Sequence, residues 1–270
     1  LCKLATMTTD IRLLQFSDPH LSARADGVLR GVNTRSALEA VLRQARAHHA
    51  NAEALLLTGD LVNDDVGGYA AVRELFGSFG KPVYCLPGNH DDPGVMAREL
   101  DVAPFQVGGH VDLGAWRIVM LDSCVPGQAH GYLGATELKR LAAALDTAGE
   151  RHVLVCLHHH PVRLGSRWLD SVCLQNAAEF FAITDRSTMV RAVAWGHVHQ
   201  QFESRRKGVR LLAVPSTCAQ FLPHSDQFAL DPSPPGYRRL SLCRDGTIDT
   251  EVVRVALQAA ASLNQRVAGA

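Results

Sequence analysis

Five apolar runs, far apart in the chain, each end at side chains able to bind a metal ion. IRLLQFS (11–17) leads into Asp18-Pro19-His20, and ALLLTGD (54–60) ends in Gly59-Asp60, with Asn63 soon after. PVYCLPG (82–88) leads into Asn89-His90-Asp91, VLVCLHHHP (153–161) runs into three histidines, and AVAWGH (192–197) delivers His197 and His199. Short apolar runs closed by Gly, Pro, Asn or Asp read as buried strands. In a parallel α/β sheet the carboxyl ends of the strands gather along one edge, where ligands bind. Five distant segments can therefore meet at one place, and this expectation limits the fold more than anything else in the chain.

Helical patterns separate most of these runs. NTRSALEAVLRQARAHH (33–49) puts Leu38, Val41, Leu42 and Ala45 on one face, with Asn33 as its N-cap. Further helices are predicted over about 69–79, over 136–149 with a capping start at Thr136, and around 174–183. After Gln200 the pattern turns to antiparallel hairpins, the second turning at Asp245-Gly246. A Pro-rich loop at 220–236, carrying Phe221 and His224, lies between them. The expectation is one α/β domain spanning 1–270, with a core over about 11–255 and tails at 1–10 and 256–270. The Ala-rich tail is expected to form a loosely attached helix.

The ligand types point to a metal. In extended chain, residues i and i+2 face the same side, so Asp18 with His20, and His197 with His199, are each expected to address one ion. Glycines directly precede Asp60, Asn89 and His197 and permit a sharp turn or close backbone approach. A mixture of carboxylate, imidazole and amide suits a divalent transition metal better than calcium. The candidates exceed what one ion can use, so two ions sharing a carboxylate is the economical arrangement. Within the histidine run, alternation sets His158 and His160 on one face and His159 on the other, leaving the choice of ligand open. His48, His49, His110 and His152 read as ordinary helix or loop residues.

Composition narrows the function classes. Lys+Arg and Asp+Glu balance at 27 each, so no general basic field for nucleic acid is present. No apolar stretch approaches the roughly 20 residues of a membrane span. The seven cysteines form no CxxC pair, and Cys85 and Cys156 sit inside strand-like runs. This pattern leads to an expectation of reduced thiols and a cytoplasmic setting.

SDPH, GDLVN, GNHD, LHHHP and GHVH, in that order, resemble the signature segments of the calcineurin-like metallophosphoesterases. That resemblance implies a four-layer α/β/β/α sandwich of two mixed sheets with a dinuclear metal centre. Longer phrases, among them LHHHPVRLGSRWLDSVCLQNA, LLAVPSTCAQFLPH and PPGYRRLSL, resemble the bacterial class III 3′,5′-cyclic-AMP phosphodiesterases. Carried over residue by residue, the resemblance implies one ion held by Asp18, His20, Asp60 and His199. It implies a second held by Asp60, Asn89, His158 and His197, with Asp60 bridging and His159 the alternative to His158. Iron and manganese are the expected metals, with zinc or cobalt also compatible. The family pattern reads His-His-Pro-Pro, and here His160 stands in place of the first proline.

The implied reaction converts cyclic AMP to 5′-AMP by attack of a metal-bridging hydroxide. The resemblance implies His90, Asp60 and Asn89 as catalytic residues, and His20, Asp60, Asn89, His90 and His199 as contacts of the phosphate. The loop 220–236 is expected to wall the nucleotide. The expected partner is this small molecule, with no nucleic acid and no membrane; monomer and homodimer both stay open. Another phosphodiesterase or phosphomonoesterase of the same superfamily, acting on a 2′,3′-cyclic nucleotide or a glycerophosphodiester, is the rival reading. A scaffold that keeps the fold without catalysis is the rival from another class.

Overall fold

The computed structural model describes residues 10–257, so nearly all of both predicted tails lies outside the described residues. The described residues begin with β1 (Ile11–Phe16), a small hairpin of β2 (Val28–Leu29) and β3 (Val32–Asn33), then α1 (Thr34–His48). β4 (Ala54–Thr58), α2 (Tyr69–Gly77), β5 (Val83–Leu86), α3 (Pro93–Leu100) and β6 (Phe105–Val107) follow. Next come β7 (Gly109–Leu113), β8 (Trp116–Met120), α4 (Ala135–Asp146), β9 (His152–Cys156), α5 (Arg167–Asp170), α6 (Ala177–Thr184) and β10 (Val190–Trp195). The last part holds β11 (Phe202–Arg206) and β12 (Val209–Ala213), the short pair β13 (Gln220–Phe221) and β14 (Leu230–Asp231), and β15 (Gly236–Leu242) with β16 (Ile248–Arg254).

Two six-stranded sheets form, in the orders β16-β15-β1-β4-β5-β6 and β11-β12-β10-β9-β8-β7. Both are mixed: β1, β4, β5 and β6 run parallel, as do β12, β10, β9 and β8, while the remaining pairs are antiparallel. Three apolar layers hold the sheets and helices together. Leu13, Leu56, Ile118, Leu154 and Ala194 fill the space between the sheets. Leu14, Leu55, Leu57 and Val83 pack on α1 and α2, and Val119, Val153, Val155 and Val193 pack against Leu141, Ala144 and Phe180 of α4 and α6. Adjacent residues of one strand thus enter different layers, as strand geometry requires. The predicted four-layer α/β/β/α sandwich is borne out.

Local structure follows the sequence in most places. Asn33 caps α1 by accepting from Ser36 N at 2.7 Å, and Leu38, Val41, Leu42 and Ala45 are all buried. Thr136 is not a cap: α4 already begins at Ala135, behind Gly134, without a side-chain capping bond. The second hairpin turns through Asp245-Gly246, with Gly246 at φ 86°. The loop 220–236 is partly ordered by the β13–β14 pair. Six cysteines among the described residues, Cys85 and Cys156 included, are free thiols. No helix among the described residues is long and apolar enough to cross a membrane.

Candidate metal centre

The carboxyl ends of β1, β4, β5, β9 and β10 meet at one edge of the sandwich, and the backbone there is unusual. Asp18, His20, Asp60, His197 and His199 all have φ between 47° and 67°. Left-handed backbone at non-glycine residues costs of order 1–3 kcal/mol each and persists only where the surroundings enforce it. Hydrogen bonds between segments enforce it here: Asp18 N to Gly59 O and His20 N to Asp60 O, both 3.0 Å, and His197 N to the Asp18 carboxylate at 3.1 Å. A β-carbon at Gly196 would overlap Ser17 Oγ, and one at Gly88 would overlap Asp60, so close approach decides both positions.

This backbone corrects two geometric expectations. His197 and His199 are not in extended chain and do not address the same group. His199 joins Asp18 and His20, whereas His197 joins His158 and His159. The histidine run does not alternate either, because β9 ends at Cys156. All three rings are buried around His197, with centroids 5.0, 4.7 and 5.7 Å from it for His158, His159 and His160.

In the first group, His199 Nε2 is 3.3 Å from Asp18 Oδ1 and 3.1 Å from His20 Nε2, and His20 Nε2 is 3.7 Å from Asp60 Oδ2. His199 Nδ1 lies 2.7 Å from the Ala219 carbonyl. On the other side of Asp60, His158 Nε2 stands 3.3 Å from the same Oδ2, while its Nδ1 lies 2.7 Å from the Thr58 carbonyl. A carbonyl at one ring nitrogen fixes the tautomer and leaves the other nitrogen as an acceptor, the usual support of a metal-binding histidine. His159 Nδ1 meets Ser123 Oγ at 2.8 Å. Asn89 Oδ1 and the Nε2 atoms of His158, His159 and His197 are buried without a hydrogen bond, as are both nitrogens of His160. So many buried polar atoms without partners cost free energy, and the chemistry of this set fits cations.

Charge is divided unevenly between these groups. Burial acts to raise the Asp18 and Asp60 carboxyls, but neighbouring imidazoles outweigh it, His199 beside Asp18 and His158 beside Asp60, and both are held below their usual range. Burial would depress His158, yet the charge of Asp60 lifts it to about 9. Burial pushes His20 and His160 down to about 4, and drives His159 and His197 well below the ordinary imidazole range.

His90 lies at the mouth. Its backbone N–H donates to Asp60 Oδ1 at 2.9 Å, and its Nδ1 pairs with Asp64 Oδ2 at 2.9 Å. Burial opposes its protonation, but Asp60 and Asp64 raise it above the usual value. Asp64 is not among the site residues expected from the sequence, although it sits four residues after Asp60. Nor is Asp91, which accepts from Gly88 N, Leu61 N, Val62 N and the Tyr69 hydroxyl within 3.2 Å and so ties the two loops together. Above these groups lies a cavity of about 230 Å³, floored by His20, Asp60, Asn89, His90, His197 and His199. Phe221 lines this cavity; His224 does not, and instead comes near Gly165.

A two-sheet α/β sandwich with Asp, Asn and His gathered at its edge defines a class, and comparison with known proteins makes it specific. Residues 11–201 match the calcineurin-like phosphoesterase family model, and the chain belongs to that family, whose members use a dinuclear metal centre. It is 40% identical over 253 residues to the 3′,5′-cyclic adenosine monophosphate phosphodiesterase CpdA of Pseudomonas aeruginosa, covering 93% of each chain. The protein of that name from Escherichia coli K12 is 42% identical over 248 residues, covering 91% of this chain and 90% of the relative. A dimetal phosphatase from Danio rerio has the same fold, with a TM-score of 0.64 at 14% identity over 92% of this chain and 100% of that one.

Proposed function

We propose that this chain is a single-domain hydrolase that opens 3′,5′-cyclic AMP to 5′-AMP. The observation that carries this reading is 40–42% identity, over more than nine-tenths of the chain, to proteins named for that reaction. The convergent donors supply the chemistry it needs. Asp18, His20, Asp60 and His199 would hold one ion, and Asp60, Asn89, His158 and His197 the other. Iron and manganese suit this mixture of donors, and zinc or cobalt are compatible with it. When bound, the ions supply positive charge to the phosphoryl oxygens and acidify the attacking water.

The residues of the chain do the rest. The floor of the cavity receives the phosphate on His20, Asp60, Asn89, His90 and His199. Water adds to phosphorus opposite the ribose 3′-oxygen and gives up a proton to solvent, the P–O3′ bond breaks, and the leaving oxygen takes a proton from His90, which solvent then restores. Asp64 on Nδ1 keeps the other nitrogen of His90 turned to the substrate. The free thiols and the balance of charge support a cytoplasmic enzyme whose partner is a small molecule rather than nucleic acid or membrane. Incubating the metal-reconstituted protein with cyclic AMP and separating 5′-AMP from 3′-AMP tests this. A dominant 3′-AMP peak, or no turnover beside fast hydrolysis of a monoester, overturns it.

A further inference from the structure

One wall of the cavity is aromatic, and nothing in the metal or phosphate chemistry accounts for it. Trp168, from the short α5, meets Phe221 at 5.2 Å and Phe228 at 5.3 Å between ring centroids. Phe221 meets Phe228 at 5.3 Å, and all three contacts are edge-to-face, at 69°, 77° and 71°. Phe221 also stacks on His199, at 4.0 Å and 9°. The wall is therefore in contact with the floor that would receive the phosphate. Phe228 is 42% exposed, and with Trp168 and Phe221 it leaves an apolar aromatic surface open on the cavity. From the β2–β3 hairpin, the Arg30 guanidinium lies over the Phe228 ring at 4.7 Å from its centroid. Among the described residues Arg30 pairs with no carboxylate, so its planar set of donors is available.

We propose that Trp168, Phe221 and Phe228, with Arg30 across Phe228, form the subsite that takes the purine base of the nucleotide. The inference rests on the cyclic-nucleotide reading above and assigns the part of the molecule that reading leaves without contacts. A base has two π-faces and several edge acceptors. Aromatic rings bind the faces with little dependence on sequence, and an arginine edge supplies donors to acceptors in the ring plane. The cavity of about 230 Å³ is smaller than most drug-sized sites, so it admits one compact nucleotide. Phosphate on the floor and base on the wall lie one ribose apart in the substrate, as floor and wall adjoin in the protein.

Binding of two ligands that differ only in the base tests this without relying on turnover. Trp116 and Trp195 are fully buried in the core, so Trp168 alone of the three tryptophans lines the cavity. The metal-reconstituted protein is titrated with 5′-AMP and with ribose 5-phosphate while its emission is followed. 5′-AMP is expected to quench Trp168 and to bind roughly ten- to a hundred-fold more tightly. Phe228→Ala, at an exposed ring whose truncation does not threaten folding, is expected to remove most of that preference. Trp168→Ala, with affinity read by calorimetry, should do the same. Equal affinity of the wild type for both ligands overturns the proposal. So does an equal weakening of both ligands in both variants, which would mark the wall as packing only. The two readings fail separately. A preserved base preference without hydrolysis of cyclic AMP overturns the proposed reaction and keeps the wall, whereas hydrolysis without base preference overturns the wall alone.

Discussion

The two sides of Asp60 are built differently. Toward β1 and the loop after β10, Asp18, His20 and His199 combine a carboxylate with two imidazoles, and the carboxylate is tied to the His197 amide. Toward β9, His158, His159, His160 and His197 crowd four imidazoles together, with Asp18 and Asp60 close to His158. The first side sets its imidazoles against buried carboxylates held in their charged form. The second keeps most of its rings neutral and leaves their nitrogens unpaired. Buried ring nitrogens without partners cost free energy, which a bound cation offsets. By this contrast the histidine-rich side depends more on its ion than the carboxylate side does.

In the proposed assignment Asp60 is the one side chain that both ions share. Asp60→Ala should remove both ions together and bring phosphodiesterase activity to background, because the shared carboxylate also screens the repulsion between the ions. Metal analysis checks it, and near-full occupancy of both sites in the variant would sink the bridging role.

The histidine run can be divided by two variants. His158→Ala should reduce bound metal from two ions per chain to one, whereas His159→Ala should keep two. His158 has its Nδ1 held by a carbonyl and its Nε2 toward Asp60, while the Nδ1 of His159 meets the Ser123 hydroxyl and no ion pair joins His159 to Asp60 among the described residues. If His159 is the ligand, the two results exchange.

His90 belongs to neither side, so His90→Ala should leave both ions in place. With the acid lost, kcat on cyclic AMP should fall roughly 10²–10⁴-fold, or about 3–5 kcal/mol of transition-state stabilisation. A p-nitrophenolate leaving group needs little protonation, so the loss on bis-p-nitrophenyl phosphate should be much smaller. Equal losses on both substrates would instead make His90 a phosphate contact.

The smallest effect is expected at Ser123, which touches the histidine-rich side through His159 Nδ1. Ser123→Ala should leave both ions bound as tightly as before, because His159 is not the ligand; a roughly tenfold loss at one ion, the range seen when the partner of a ligand ring is removed, would make His159 the ligand. Chelator competition separates the two ions, and equal weakening of both would break the proposed division.

Much of the fold and of the donor set is legible in the order of residues. Asn33 at the start of α1 and the apolar face behind it stand where the pattern puts them, because capping and period-3.6 burial are local. α3 is absent from the expected helices, although its signal is present: Asp92 caps it, accepting from Val95 N at 2.9 Å, and Pro93 follows. β7 is absent from the expected strands for a better reason. It is half-exposed and short of apolar residues, and it exists because β8 pairs with it. Phe228 lies in the loop 220–236 expected to wall the nucleotide, whereas Trp168 and Arg30 carry no site pattern of their own and join it only in the folded chain.

The sequence by itself determined that donors stand at five strand ends and that those strands alternate with helices, because burial and period are written in neighbouring residues. Which donors meet was decided by tertiary structure. His199 pairs with His20, 179 residues away, and His197 turns from it toward the histidine run. Alternation could not foresee this, because the regular strand stops before the ligands begin. Beyond that point the side-chain directions follow from left-handed backbone that only hydrogen bonds between distant segments can hold.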